Sequence, residues 1–292
     1  MTITAERPVK TGPPTAITDP STGQRWYVHP KTGERFISVT TVLSHIAKFG
    51  LIDWSARLAA QAAFDNLPWL NRASRNPACN STKTSGACGN CPACVAYWLA
   101  DRHNQVRDAA GERGTKLHDA AEQTVLFGEG AEVDDDAKPY VEQWQRWNQR
   151  YKPKFLATEL TVISRKWGFA GTLDAIHEFS EASRLPKQLA HLVDLPILDD
   201  YKTSKQVDLT QGWQVGAYCH GDAVLLADGT ELPMPEVKAG LIVHIRPEKV
   251  QMREAYLTDK NFAYFVHMCR VVEGLGAPLN SVLSRPVTMK EA

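Results

Sequence analysis

Two residues near the middle of the chain have the types needed for phosphodiester hydrolysis. Asp200-Tyr201-Lys202 ends an apolar run typical of a strand, and strand side chains alternate between the two faces. Asp200 and Lys202 are therefore expected to face one cleft, where the carboxylate can bind a divalent cation and the ammonium can orient a water or offset transition-state charge. An exposed salt bridge at a strand end explains the same tripeptide, so the surrounding sequence has to decide.

Further polar residues are predicted to converge on this cleft. Asp174 follows Gly171-Thr172-Leu173 on the strand expected beside Asp200. Two neighbouring carboxylates repel each other, so a divalent cation between them is expected; the alternative is that Asp174 caps a turn or pairs with a lysine. His118 and Glu122 are four residues apart on one predicted helix face and could add a ligand, although most helix histidines bind no metal.

Gln214 and Tyr218 are also four residues apart, in the helix predicted after the Asp200 strand. Their amide and phenol groups could bond a phosphate or position Lys202. Each could equally be a packing residue with one polar bond.

Four of the six cysteines, Cys79, Cys88, Cys91 and Cys94, lie within one short stretch. Their spacing predicts a structural metal site rather than free thiols. Zinc bound by four thiolates fits such a loop, and an iron–sulfur cluster fits almost as well. The metal would fold a Cys-rich insertion over residues 70–95 that has no apolar core of its own.

The elements around these residues predict an α/β fold with a mixed central sheet flanked by helices, an N-terminal helical region and the four-Cys insertion. Periodicity predicts, in order, a hairpin over 25–39, helices over 40–67 and 95–127, the second interrupted near Gly111 and Gly114, an aromatic-faced helix over 140–151, strands over 155–163, 168–179 and 192–202, a helix over 209–226, strands over 238–245 and 250–257, and a helix over 259–273. A flexible tail is expected over 1–20, one domain over 21–278 and a second tail over 279–292.

Composition excludes little. Lysine plus arginine and aspartate plus glutamate both total 33 of 292 residues, so the net charge of zero neither favours nor excludes a polyanionic partner. No run of about 18 apolar residues predicts a membrane span, and the N-terminus lacks the apolar segment of a signal peptide. A cytoplasmic location is expected.

In their order along the chain, these residues resemble the PD-(D/E)XK nuclease superfamily, in particular its RecB-like branch of phage and CRISPR-associated exonucleases. The resemblance rests on Arg113-Gly114-Thr115-Lys116-Leu117-His118 with Glu122, Glu159, Gly171-Thr172-Leu173-Asp174, Asp200-Tyr201-Lys202-Thr203, Gln214 and Tyr218. It implies a restriction-endonuclease-like core in which His118, Asp174 and Asp200 hold Mg²⁺ or Mn²⁺ and Lys202 is the catalytic lysine. Glu122, Glu159, Gln214 and Tyr218 would be accessory residues near the active site and the DNA.

The function that this resemblance implies is a metal-dependent DNA exonuclease in phage-type recombination, replication or end processing. DNA is the expected partner, a recombinase or single-strand-binding protein a further candidate, and a bacterial or phage-infected cytoplasm the setting. The alternatives are an endonuclease or nickase, and a non-catalytic nucleic-acid-binding module of nuclease-like fold. Many RecB-like exonucleases with an iron–sulfur cluster place one cysteine before the histidine helix and three near the C-terminus. Only Cys219 and Cys269 follow the four clustered cysteines in this sequence, so that arrangement is absent.

Overall fold

The computed structural model describes residues 9–10, 16–20, 22–46, 49–79, 88–128, 132–276 and 281. These residues form two compact units, unit 1 within Met1–Ile46 and Lys116–Ala292, and unit 2 within Ala47–Thr115. The sequence predicts one domain over 21–278, whereas the structure divides into these two units. Helices on both sides of the cysteines group with them, so the compact region is larger than the predicted insertion over 70–95.

A mixed sheet forms the centre of unit 1, as predicted. Its strands are β1 (Val9–Lys10), β2 (Ala16–Thr18), β3 (Arg25–Val28), β4 (Arg35–Ser38), β5 (Lys154–Ser164), β6 (Phe169–Glu178), β7 (Ile197–Lys202), β8 (Ala223–Leu225), β9 (Glu231–Pro233), β10 (Ala239–Arg246) and β11 (Lys249–Ala255). The main order is β11-β10-β7-β6-β4-β3-β2, and β5 pairs with β6, β1 and β8. The pairs β10–β7, β4–β6 and β1–β5 are parallel, and the other pairs between these strands are antiparallel.

Helices cover both faces of this sheet. The helices of unit 1 are α1 (Val39–Ser44), α5 (Lys138–Tyr151), α6 (Leu209–Cys219), α7 (Asp259–Leu275) and the part of α4 (Pro92–Phe127) from Lys116 onward. α1, α6 and α7 share one buried cluster with Leu198 and Ile242 of the sheet. α4 and α5 share another with Leu241 and Val243, which alternate with Ile242 and so point to the opposite face. The four tryptophan and tyrosine side chains predicted on one face of α5 contribute to this second core.

Some element boundaries differ from the prediction. α4 continues through Gly111 and Gly114, since a helix interior tolerates each glycine at a cost of about 1 kcal/mol. α6 ends at Cys219 rather than near residue 226, because residues 223–225 form β8, which pairs with β5 and β9. The tail expected over 1–20 contains β1 and β2, which pair through backbone groups and need no apolar periodicity. Apart from residue 281, the tail predicted over 279–292 lies outside the described residues.

Unit 2 is helical. It contains α2 (Phe49–Asp65), α3 (Leu67–Ala73) and α4 as far as Thr115. The Trp69 ring of α3 packs edge-on against Trp98 of α4, with ring centroids 5.1 Å apart, and its Nε1 donates to the Gly89 carbonyl at 3.2 Å. These contacts attach the cysteine-bearing segment to two helices. Within the described residues, none of the helices in either unit combines the length and apolarity needed to cross a bilayer.

Candidate active site and metal sites

Five elements of unit 1 bring the predicted site residues together. His118 lies on α4, Glu159 on β5, Asp174 on β6, Asp200 and Lys202 on β7, and Gln214 and Tyr218 on α6. β6 and β7 are antiparallel neighbours paired at Ala175 and Asp199, so the next position in register sets Asp174 across from Asp200. The prediction that Asp174 stands on the strand beside Asp200 is confirmed.

Asp174 is the centre of the group. Its Oδ1 lies 3.0 Å from His118 Nδ1, and its Oδ2 accepts the backbone N–H of Tyr201 at 2.5 Å. Burial alone raises the pKa of Asp174, but the adjacent His118 and the Tyr201 N–H outweigh burial and lower it. Burial likewise lowers the pKa of His118, while the charge of Asp174 and their hydrogen bond raise it to about 9.

Glu159 completes this group from β5. Its Oε1 lies 3.9 Å from His118 Nδ1, and the flanking pairs Thr158–Ala175 and Leu160–Leu173 set it across from Asp174. Its φ of 49° is in the left-handed region, an uncommon conformation for glutamate that is maintained only where the surrounding structure enforces it. Burial and the charge of Asp174 raise the pKa of Glu159 to about 8.

Asp200 and Lys202 form an ion pair on one face of β7, as the alternation of strand side chains predicts. Lys202 Nζ lies 2.8 Å from Oδ1 and 2.7 Å from Oδ2 of Asp200. Burial raises the pKa of Asp200 to about 6, although the charge of Lys202 opposes this shift. The intervening Tyr201 packs on the other face against Trp144 and Trp147.

Gln214 of α6 connects Asp200 to Tyr218 through hydrogen bonds. Gln214 Nε2 donates to Asp200 Oδ1 at 3.0 Å and to the Tyr218 hydroxyl at 2.9 Å. Tyr218 is buried and packs over Gly171, where an added Cβ would lie 2.3 Å from Tyr218 Cε1. Gly171 is therefore required for the seating of this ring. Tyr218 matches the alternative of a packing residue with a polar bond, and Gln214 acts on Asp200.

The chemistry of the donors fits a divalent cation. One ligand atom each from His118, Glu159 and Asp174 lie within 4.8 Å of one another, so this group could hold a metal ion. The set predicted from the resemblance contained Asp200 in place of Glu159. Asp200 is held instead by Lys202 and Gln214 at the edge of this group. Carboxylate oxygens and imidazole nitrogens are both ligands for divalent cations in proteins.

Glu122, one turn after His118 on α4, contributes a further negative charge, which helps to raise the pKa of Glu159. The contribution of the Tyr201 backbone N–H to the site could not be found from residue types, because it depends on strand pairing. Glu159 had no signal of its own in the sequence and was predicted through the family resemblance alone.

The four cysteines of unit 2 form a second group that could hold a metal. Their sulfur atoms all lie within 4.8 Å of one another. The Sγ–Sγ distances are 3.5 Å for Cys79–Cys94, 3.7 Å for Cys88–Cys94 and 3.6 Å for Cys91–Cys79. The backbone N–H of Cys79 and Cys94 lower the pKa of Cys91 to about 6, which favours the thiolate form that binds metals. All six cysteines are in the described part of the chain, and no disulfide links them.

Comparisons with known proteins do not assign the chain to a family. No protein-family model matches the chain, and no curated protein matches it. A solved structure titled "Crystal structure of SSO0001" is similar with a TM-score of 0.32 and 14% identity, covering 62% of this chain and 67% of that one. A likeness at this level supports no conclusion about the activity of the chain.

Proposed function

We propose that this protein is a metal-dependent deoxyribonuclease that degrades DNA as an exonuclease. The observation that carries the proposal is the convergence of His118 of α4, Glu159 of β5 and Asp174 of β6 within 4.8 Å of one another, with β6 next to the strand that holds the Asp200–Lys202 ion pair. A hard-cation ligand set beside a lysine suits hydrolysis of a phosphodiester. The ordered resemblance to RecB-like nucleases, with their restriction-endonuclease-like core, supports the choice of DNA and of cleavage from an end.

His118, Glu159 and Asp174 would hold Mg²⁺ or Mn²⁺, with Asp200 available as a further ligand. A bound divalent ion would polarise the phosphate and make a water acidic enough to attack at neutral pH. The protein prepares its ligands for this role. His118 is positioned by Asp174, and Asp174 is in turn held by the Tyr201 N–H. A bound ion would replace the proton between His118 Nδ1 and Asp174 Oδ1.

Lys202 supplies the positive charge that hydrolysis needs next to the phosphate. Its ammonium is held by Asp200, which Gln214 fixes from α6. In this position Lys202 orients the attacking water and stabilises the negative charge that develops on the phosphate oxygens. The side chain is half-buried, which strengthens its electrostatic effect compared with that of a surface lysine.

The test is digestion of end-labelled linear DNA and of a closed circle, with Mg²⁺, Mn²⁺ or EDTA. The wild type should degrade linear DNA with either ion, leave the circle intact and be inactive in EDTA. Lys202→Met should be inactive, while Lys187→Met, a matched change at an exposed lysine before β7, should retain full activity. Cleavage of the circle would show that the protein is an endonuclease rather than an exonuclease. DNA binding without any cleavage would contradict the proposal that the protein is an enzyme.

At the cysteines we propose zinc. A tetrahedral ion with zinc–sulfur bonds of about 2.3 Å separates its ligand sulfurs by about 3.8 Å, close to the 3.5–3.7 Å found here. A four-iron cluster binds each thiolate to a different iron, which spreads the sulfurs more widely. Elemental analysis of the purified protein should find about one zinc per chain and a colourless solution. Stoichiometric iron with visible absorbance would contradict zinc.

A further inference from the structure

The chain leaves β7 at Lys202 and crosses a short loop before α6 begins at Leu209. Ser204 and Lys205 of this loop are exposed. Within the described part of the chain, Lys205 forms no ion pair. The loop is covalently continuous with Lys202 and therefore lies beside the proposed reaction centre.

Two side chains of the neighbouring strand hold this loop in place. Arg246 donates from Nη1 to the Thr203 carbonyl at 2.7 Å, and His244 Nε2 donates to the Ser204 carbonyl at 2.7 Å. His244 is buried and pairs in parallel register with Lys202. Because a carbonyl only accepts, His244 carries its proton on Nε2. Two consecutive carbonyls are thus fixed toward β10.

Peptide geometry then determines where the adjoining N–H groups point. A trans peptide is planar with C=O and N–H on opposite sides, and the described residues contain no cis bond. The N–H groups of Ser204 and Lys205 therefore point away from Arg246 and His244. The pairing of β7 with β10 ends at Lys202. The N–H groups of Ser204 and Lys205, which follow it, have no hydrogen-bond partner in the described part of the chain. Residues 204–206 form a bend, and successive N–H groups on one side of such a bend can bind an anion.

We propose that Thr203–Lys205 is a phosphate-binding loop that holds the DNA strand at a phosphate next to the one being cleaved. This inference rests on the proposed nuclease function. The N–H groups of Ser204 and Lys205 donate to the phosphate oxygens, and the Lys205 ammonium adds charge. His244 and Arg246 are positioning residues that act through the two carbonyls. The nearby Asp208 carboxylate is engaged in capping α6 through the Thr210 N–H.

The test measures binding of labelled DNA in Mg²⁺ at increasing NaCl, in a Lys202→Met background so that the DNA stays intact. Lys205→Met should weaken binding several-fold and reduce the slope of log K against log salt by about 1, because one phosphate contact is lost. The matched control Lys187→Met should leave the slope unchanged. Lys205 is exposed, so its replacement leaves the fold intact.

A double-mutant cycle tests the role of His244. His244→Phe should weaken DNA binding, His244→Gln should restore part of it through its amide donor, and the effects of His244→Phe and Lys205→Met should be less than additive. A purely structural role would give additive losses and no rescue by glutamine.

The proposed phosphate-binding loop and the proposed nuclease function can be contradicted separately. If the wild type cleaves DNA but Lys205→Met has the same salt slope as Lys187→Met, the proposal of a phosphate-binding loop is wrong and that of a nuclease is retained. If the wild type neither binds nor cleaves DNA, both are wrong.

Discussion

The two candidate metal sites are built in opposite ways. The cysteine group of unit 2 takes all four ligands from residues 79–94, on a segment attached to α3 and α4 by Trp69. The carboxylate group of unit 1 takes His118, Glu159 and Asp174 from three elements that a helix-flanked sheet brings together. A local site depends on its ion for its structure, whereas a site on a sheet is prepared by the fold. Removal of metal should therefore disorder the first and only inactivate the second.

The largest effect is expected at Asp174, on which the carboxylate group is centred. Asp174→Asn keeps the shape but removes the charge facing His118, so cleavage should fall by about a thousandfold or more with the fold retained. The control is Asp194→Asn, an exposed position with φ of 59° that both residue types tolerate. Cleavage rates and circular dichroism check this. An unfolded Asp174→Asn protein would contradict a site prepared by the sheet.

The second effect concerns the cysteine group. Cys91→Ser removes one buried thiolate. In small zinc modules the metal contributes about 10 kcal/mol or more to folding. Amides over residues 88–100 should therefore lose most of their protection from hydrogen exchange. Amides of β6 and β7 should keep theirs. Cys219→Ser, which leaves all four clustered cysteines in place, is the control. Equal loss of protection in both units would remove the distinction between a local and a sheet-built site.

A smaller effect is expected from Gly171→Ala. The new Cβ would meet the Tyr218 ring at 2.3 Å, which should destabilise the protein by about 1–3 kcal/mol and lower activity through Gln214 and Asp200. Gly212→Ala on α6 has open space at Cβ and should be neutral or stabilising. Denaturant unfolding of both variants checks this. Wild-type stability in Gly171→Ala would show that the ring is not seated as described.

A further effect is a pH dependence of the metal-free protein. The pKa values of Glu159 and His118 are raised on folding, to about 8 and about 9. The folded state therefore holds protons that the unfolded state has released, so stability should fall as pH rises from about 5 to 9. Glu159→Gln should flatten the lower half of this decline in a melting-temperature series. Added Mg²⁺ should stabilise most at high pH, and a melting temperature that rises with pH would contradict these shifts.

The sequence was most informative where chemistry is local. The cysteine group follows from four closely spaced cysteines, and the shared face of Asp200 and Lys202 follows from strand alternation. The adjacency of Asp174 and Asp200 was also predictable, because two strands separated by one connection tend to pair.

What escaped prediction depends on long-range geometry. Residue types alone gave no reason to include Glu159, because its place in the ligand group comes from the pairing of β5 with β6 and from an unusual φ. The anchoring of Thr203 and Ser204 by Arg246 and His244 depends on the parallel pairing of β7 with β10 across some 40 residues of chain. Such registers are set by the folded sheet, and a spacing rule does not reveal them.

The most direct test of the central claim combines metal binding and cleavage in the same three proteins. Calorimetric titration with Mn²⁺ and digestion of end-labelled linear DNA should be run on the wild type, Glu159→Gln and Asp174→Asn, all purified without chelator so that the cysteine group is treated alike. The wild type should bind Mn²⁺ and degrade the DNA, and both variants should lose affinity and activity together. Undiminished Mn²⁺ binding in both variants, or intact DNA with metal-loaded wild type, would contradict the account.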